Sequence, residues 1–252
     1  TTGFTINRQS WQSQGLVGWW PYHDAGGYDW VDRTPPTGVS VAGPPNHAPN
    51  RAGRSVYFNN RNYLYPYNGR LGANGYPATL SFWCDIATGS RWGCLIKVGS
   101  TTTGWGIGVG NGTWEVGGTD IIALYELVAW KPFGVAFPGS SVHHWTMTVD
   151  DIRVPRLYID GILQATLGAS AIIAPVAAFY TGGYAARKSS GSWLHDIRLY
   201  NRELVSNEVW RLYAESGDLY DPAVKSGMGL SLDAVATDFR DVGWPSVGLR
   251  VG

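Results

Sequence analysis

The chain is poor in charge. Only 15% of its 252 residues are Asp, Glu, Lys or Arg, against roughly 25% in an average soluble protein. Lysine (4 residues) and glutamate (5 residues) are scarcest, which excludes a coiled coil or a helical bundle, because those are built largely from Ala, Glu, Lys, Leu and Arg. The 19 basic residues balance 19 acidic ones, and zero net charge argues against a basic surface for nucleic acid. Cysteine is limited to Cys84 and Cys94. Two cysteines make neither a disulfide framework nor a four-ligand zinc site. They fall on consecutive predicted strands, so one cross-strand bridge and two free buried thiols are both open. Long apolar runs are missing too. The longest, from Ala171 to Tyr180, holds Pro175 and is too short to cross a bilayer. The first fifteen residues are polar and lack an apolar core, so no secretory signal is read there.

Glycine (34), tryptophan (13) and tyrosine (14) are abundant instead. That is ample aromatic mass for a core, so the chain is not disordered, and the mixture suits many short strands joined by tight turns. Leu16–Trp20 reads as a first strand closed by Pro21. Residues 21–53, with Pro35-Pro36 and Pro44-Pro45, read as one long loop. Arg54–Phe58 follows as a strand. In Leu80–Ile86, Leu80, Phe82, Cys84 and Ile86 share one face, while Ser81, Trp83 and Asp85 share the other, the mark of a half-buried strand. Trp92–Val98 is expected to pair with it as a hairpin. Gly104–Gly110 alternates Trp105, Ile107 and Val109 with glycine, so one face is bare and admits a backbone, a ring or a ligand. Asn111-Gly112 marks a turn into Trp114–Val116.

Val142–Val149 alternates again and sends His143 and His144 to opposite faces, so they do not readily share one metal. Asp160-Gly161 joins two alternating runs, the signal of a tight hairpin whose central residues both need positive φ. Phe179–Tyr184 and Trp193–Tyr200 add strands. A single helix is expected after Ser206, its cap, with Val209, Leu212 and Tyr213 as the apolar stripe and Gly217 as its stop. The pattern predicts an all-β, two-sheet antiparallel sandwich with one short C-terminal helix. It divides into an N-terminal arm (1–15), the sandwich domain (16–217) and a C-terminal extension (218–252).

The order of several short motifs carries a resemblance. Gly15–Pro21, Gly53–Asn59, Leu80–Trp83, His143–Trp145, Leu157–Gly161, Gly182–Tyr184 and Asp196–Leu204 follow the order of LamG-like jelly-roll domains of the concanavalin A-like lectin/glucanase superfamily. The resemblance covers residues 15–216. The closing helix and Leu219-Tyr220-Asp221-Pro222 also resemble versions in tailed-phage virion proteins. The same domain is common in secreted bacterial proteins. His195 stands where many members of the family carry a carboxylate. By alternation it shares a face with Ile197 and Leu199, as a core histidine.

The superfamily includes glucanases, so enzymatic chemistry has to be weighed. Retaining glycosidases need two carboxylates about 5–5.5 Å apart. The chain has no E-x-D-x-x-E strand, its five glutamates form no such pair, and Asp150-Asp151 reads as a turn. G-x-S-x-G, H-E-x-x-H and P-loop motifs are missing as well. No catalytic residue is expected, and the protein reads as a non-enzyme. No cofactor is required on this reading; calcium is the ion the resemblance allows, with Asp24, Asp29, Asp32 and Asp120 as candidate ligands against the default of solvated loop acids. Sugar would stack on exposed aromatic faces, with Trp30, Trp92, Trp105, Trp114 and Trp193 as candidates. The same residues could instead bury against a neighbouring subunit. The first expectation is a structural virion subunit, in a capsid-decoration or tail-associated position, contacting other virion proteins or copies of itself. The alternative is a carbohydrate-binding module outside the cell or on a bacterial surface.

Overall fold

The computed structural model describes residues 6–22, 29, 31–32, 38–39, 46–50, 53–58, 63–66, 70–71, 75–86, 93–99, 104–111, 119–126, 129–136, 138, 141–169, 178–181 and 192–215. In chain order the strands are β1 (Leu16–Trp20), β2 (Gly38–Val39), β3 (Asn46–Asn50), β4 (Gly53–Phe58), β5 (Tyr63–Pro66), β6 (Ala78–Ile86), β7 (Gly93–Gly99) and β8 (Gly104–Asn111). They continue as β9 (Thr119–Glu126), β10 (Ala129–Ala136), β11 (His143–Val149), β12 (Pro155–Ile159), β13 (Ile162–Thr166), β14 (Ala178–Thr181) and β15 (Ser192–Tyr200), and helix α1 (Ser206–Ala214) closes the described chain.

The strands form two antiparallel sheets. The first runs β13-β12-β11-β6-β15-β4-β3, with β1 also paired to β15; the second runs β10-β9-β8-β7-β14-β5-β2. This is the expected jelly-roll sandwich. Its core lies between the sheets, and Trp20 of the first stacks on Phe179 of the second with ring centroids 4.3 Å apart. A smaller apolar cluster lies on the opposite, outer face of the first sheet. There Val209 and Leu212 of α1 cover Trp19, Tyr158 and Tyr200.

Several local expectations are corrected. β6 and β7 belong to different sheets, so they form no hairpin; Cys84 is a free, buried thiol, one of the two states the sequence left open. Residues 21–53 are not all loop, since β2 and β3 lie there. β10 carries Pro132 at the end of the second sheet, where a strand tolerates a residue without an N–H. The bare face of β8 has a backbone cause: a Cβ on Gly106 would lie 2.3 Å from the Ile96 carbonyl oxygen on β7. His195 does not share a face with Ile197. Asp196 has φ +48°, and the ladder between β15 and β6 slips there, so Leu194, Ile197 and Leu199 face the core while His195 lies opposite Trp83. Helix α1 is capped at Val205 and not at Ser206. The Glu208 carboxylate accepts the Val205 N–H at 3.1 Å, while the Ser206 hydroxyl meets the Tyr158 hydroxyl at 3.1 Å.

The Asp160-Gly161 hairpin forms as the sequence predicts, with φ +52° and +77°. Part of the N-terminal arm folds back onto its own domain. Gln12 is buried, and its side chain links the Arg198 guanidinium (2.5 Å) to the Glu215 carbonyl (2.6 Å).

Candidate functional site

The acidic loop is occupied by an internal cation. Asp29 is fully buried, and its Oδ1 accepts the N–H groups of Trp19 and Val31, both at 2.9 Å. Its other oxygen is bound by the Arg70 guanidinium, which also reaches Asp32 at 2.7 Å. Burial raises the Asp29 carboxyl above its ordinary value, against the lowering pull of Arg70 and the two N–H groups. The side chain thus locks a loop to β1, and Arg70 supplies the positive charge that a calcium ion would bring. Asp24 and the side chain of Asp120 lie outside the described residues, which contain no group of three or more His, Cys, Asp or Glu side chains arranged to hold a metal.

The tryptophan candidates separate sharply. Trp105 is fully buried in the core, because its neighbours on β8 are glycines and its ring takes the inward face, so it presents no face to a sugar. Trp30, Trp92 and Trp114 lie outside the described residues. Trp193 is half-buried on the outer face of the first sheet. Its register partners are Tyr57 on β4 and Asp85 on β6, both also half-buried. The Trp193 and Tyr57 rings lie 4.8 Å apart at 39°, a tilted aromatic pair beside a carboxylate. Sequence reading found Trp193 but missed Tyr57 and Asp85. Alternation places each on the outer face, and only the strand order brings them together.

Further along the same face the polar groups serve packing. Asp196 accepts from the Trp19 indole (2.7 Å) and twice from Arg198 (3.0 and 2.7 Å). Burial would raise the Asp196 carboxyl, but Arg198 and the His195 ring charge hold it below its ordinary value. His144 lies beneath Tyr213 and beside Trp83, with Nε2 2.8 Å from the Ser81 hydroxyl. Burial, then the Arg198 charge, depresses its pKa to about 4.

His143 stands at the rim, where β11 begins, and is tied to two residues that sequence reading did not join to it. Its Nε2 lies 2.7 Å from the Ser141 hydroxyl and its Nδ1 lies 2.7 Å from Asp160 Oδ2. Asp150, the first acid of the expected turn, accepts the N–H groups of Ile152 (3.1 Å) and Val154 (2.8 Å) and pairs with Arg156.

These features have relatives. A family model described as the concanavalin A-like lectin/glucanases superfamily (Laminin_G_3) matches residues 58–210, and the chain belongs to that superfamily. No curated protein matches the sequence. Among solved structures, domain 4 of AbnA, a GH43 extracellular arabinanase from Geobacillus stearothermophilus in complex with arabinotriose, superposes with a TM-score of 0.61 at 14% identity, over 79% of this chain and 98% of that one. A Trypanosoma rangeli sialidase in complex with 2,3-difluorosialic acid gives 0.58 at 19% identity, over 80% of this chain and 33% of that one. A botulinum neurotoxin type C structure, whose cell entry depends on two ganglioside molecules, gives 0.60 at 12% identity, over 79% of this chain and 51% of that one. The chain therefore spans about a third of the sialidase and half of the neurotoxin structure. At these identities the likeness establishes the fold.

Proposed function

We propose that this protein is a non-glycosidase recognition domain that binds a glycan through Trp193 and Tyr57. The observation that carries the reading is that half-buried, tilted aromatic pair standing in one row with Asp85 on the outer face of the first sheet. Two rings offer apolar faces to the C–H side of a sugar, and a carboxylate accepts its hydroxyls, which is how a site of few polar groups fixes orientation. The glycan-bound relatives support the reading at the level of fold. With Asp29 and Asp32 bound to Arg70, binding needs no calcium from that loop. A glycan array read with the full chain should show binding to a restricted set of oligosaccharides, unchanged by EDTA. Trp193→Ala should weaken that binding at least tenfold, about 1.4 kcal/mol. Absence of binding across broad sets would contradict the reading.

A virion setting is the second reading, and what supports it is an exposed apolar patch that another subunit could cover. Ile162 (63% exposed) and Leu163 (47%) on β13 stand out in the same region as Trp210 (42%) on α1, whose backbone approaches Gly161. Such an apolar patch suits cover by another subunit. Electron microscopy of the native source tests it: the chain should be seated on a particle, and a soluble monomer bound to none would contradict it.

A further inference from the structure

We infer that Ser141, His143 and Asp160 form an acyl-transfer site that hydrolyses small carboxylic esters. The inference is independent of the glycan reading. It rests on the order of three hydrogen bonds at the rim of the sandwich. Asp160 opens the β12–β13 turn with φ +52°, and its Oδ1 accepts the His144 backbone N–H at 2.9 Å. That contact aims Oδ2 at His143 Nδ1, 2.7 Å away. An ionised carboxylate only accepts, so the imidazole proton sits on Nδ1 and the Nε2 lone pair faces the Ser141 hydroxyl at 2.7 Å. This is the nucleophile–base–orienter sequence in which a serine hydroxyl gains reactivity, and it is recognised by atoms and roles rather than by sequence position.

Of the three side chains the nucleophile is the most exposed. Ser141 is exposed, His143 is 18% exposed and Asp160 32% exposed. A nucleophile standing free at the rim takes a small acyl group, such as acetyl, that needs no deep apolar pocket. In the first step Ser141 Oγ bonds to the carbonyl carbon as its proton passes to His143 Nε2. The carbon–oxygen bond to the alcohol then breaks, and the alcohol leaves with that proton. Water attacks the acyl-serine, gives its proton to His143, and releases the carboxylic acid as Ser141 recovers its own. Ser141 and His143 are the catalytic residues; Asp160 is a positioning residue.

The test uses the full chain with 4-nitrophenyl acetate and a fluorophosphonate probe. The expected result is a burst of nitrophenol, an acetyl adduct on the peptide that carries Ser141, and fluorophosphonate labelling of the same residue. Ser141→Ala should remove adduct and label and lower turnover about 100-fold, while Ser13→Ala should leave both intact. Asp160→Asn should lower kcat at least tenfold with KM unchanged, and Asp160→Glu should restore part of it. Absence of any adduct at Ser141, or full turnover in a Ser141→Ala protein with an unchanged unfolding midpoint, would overturn the inference. If Asp160→Asn lowers the unfolding midpoint while kcat per folded molecule holds, Asp160 only braces the hairpin and its positioning role is overturned.

Discussion

Arg70 reaches the buried Asp29 carboxylate, the exposed Asp32 and the Val17 carbonyl, and its guanidinium lies 5.9 Å from the Trp20 ring centroid. Removing the cation would leave Asp29 buried and unpaired, the costly half of a broken ion pair. Arg70→Met is expected to destabilise the fold by about 3 kcal/mol in urea unfolding; a loss below ~1 kcal/mol would mean that the loop readjusts and hydrates Asp29. Gly106 is held by geometry of a different kind. The β7 backbone occupies the space of its Cβ, so Gly106→Ala forces two strands apart and is expected to cost about 2 kcal/mol by the same measurement. The sequence showed a bare glycine face at β8. That its neighbour was a backbone depended on strand order, which alternation does not encode.

Among the elements, those with a strict period were legible. β6 and β11 alternate without interruption, and their inward residues Leu80, Phe82, Trp145 and Met147 are fully buried as expected. The β12–β13 hairpin was readable from Asp160-Gly161 alone. β10 was missed because Pro132 and Gly134, which has φ +72°, break its period, and the β9–β10 register shifts between Pro132 and Val135. β15 was found, yet His195 was assigned to the core face with Ile197 and Leu199, because Asp196 inserts a left-handed residue in the strand. The same slip explains why the site was only partly readable. Trp193 was named from its residue type alone, since unbroken alternation groups it with the inward Ile197 and Leu199, and Tyr57 and Asp85 join it only through pairing with β4 and β6. Helix α1 was legible from Val209 and Leu212. Both are buried against the first sheet's outer face, so Leu212→Ala is expected to cost about 3 kcal/mol. Tyr213 would then lose its fixed place over Trp83 and His144, visible as a change in near-ultraviolet circular dichroism.

For the whole molecule, the outer face of the first sheet divides into a sealed half under α1 and an accessible half around Trp193. The sealed half sets the acid limit of stability. His144 has a pKa of about 4 when folded, against 6.5 as its ordinary value, because burial and then Arg198 oppose its charge. Below pH 6.5 the unfolded chain takes up a proton that the folded chain refuses. Stability is therefore full above 6.5 and falls as pH drops toward 4, by up to ~1.4 kcal/mol per pH unit. Urea unfolding between pH 7 and pH 4 should show that slope, and His144→Gln should flatten it; an equal slope in both proteins would assign it elsewhere. The accessible half bears the recognition reading, and it is tested most directly by following tryptophan indole N–H signals in solution during titration with an array-selected oligosaccharide. The Trp193 indole signal should shift saturably while those of the buried Trp105 and Trp145 stay in place. A saturable response that leaves Trp193 unmoved, or no response at all, would contradict the assignment of the site to Trp193 and Tyr57.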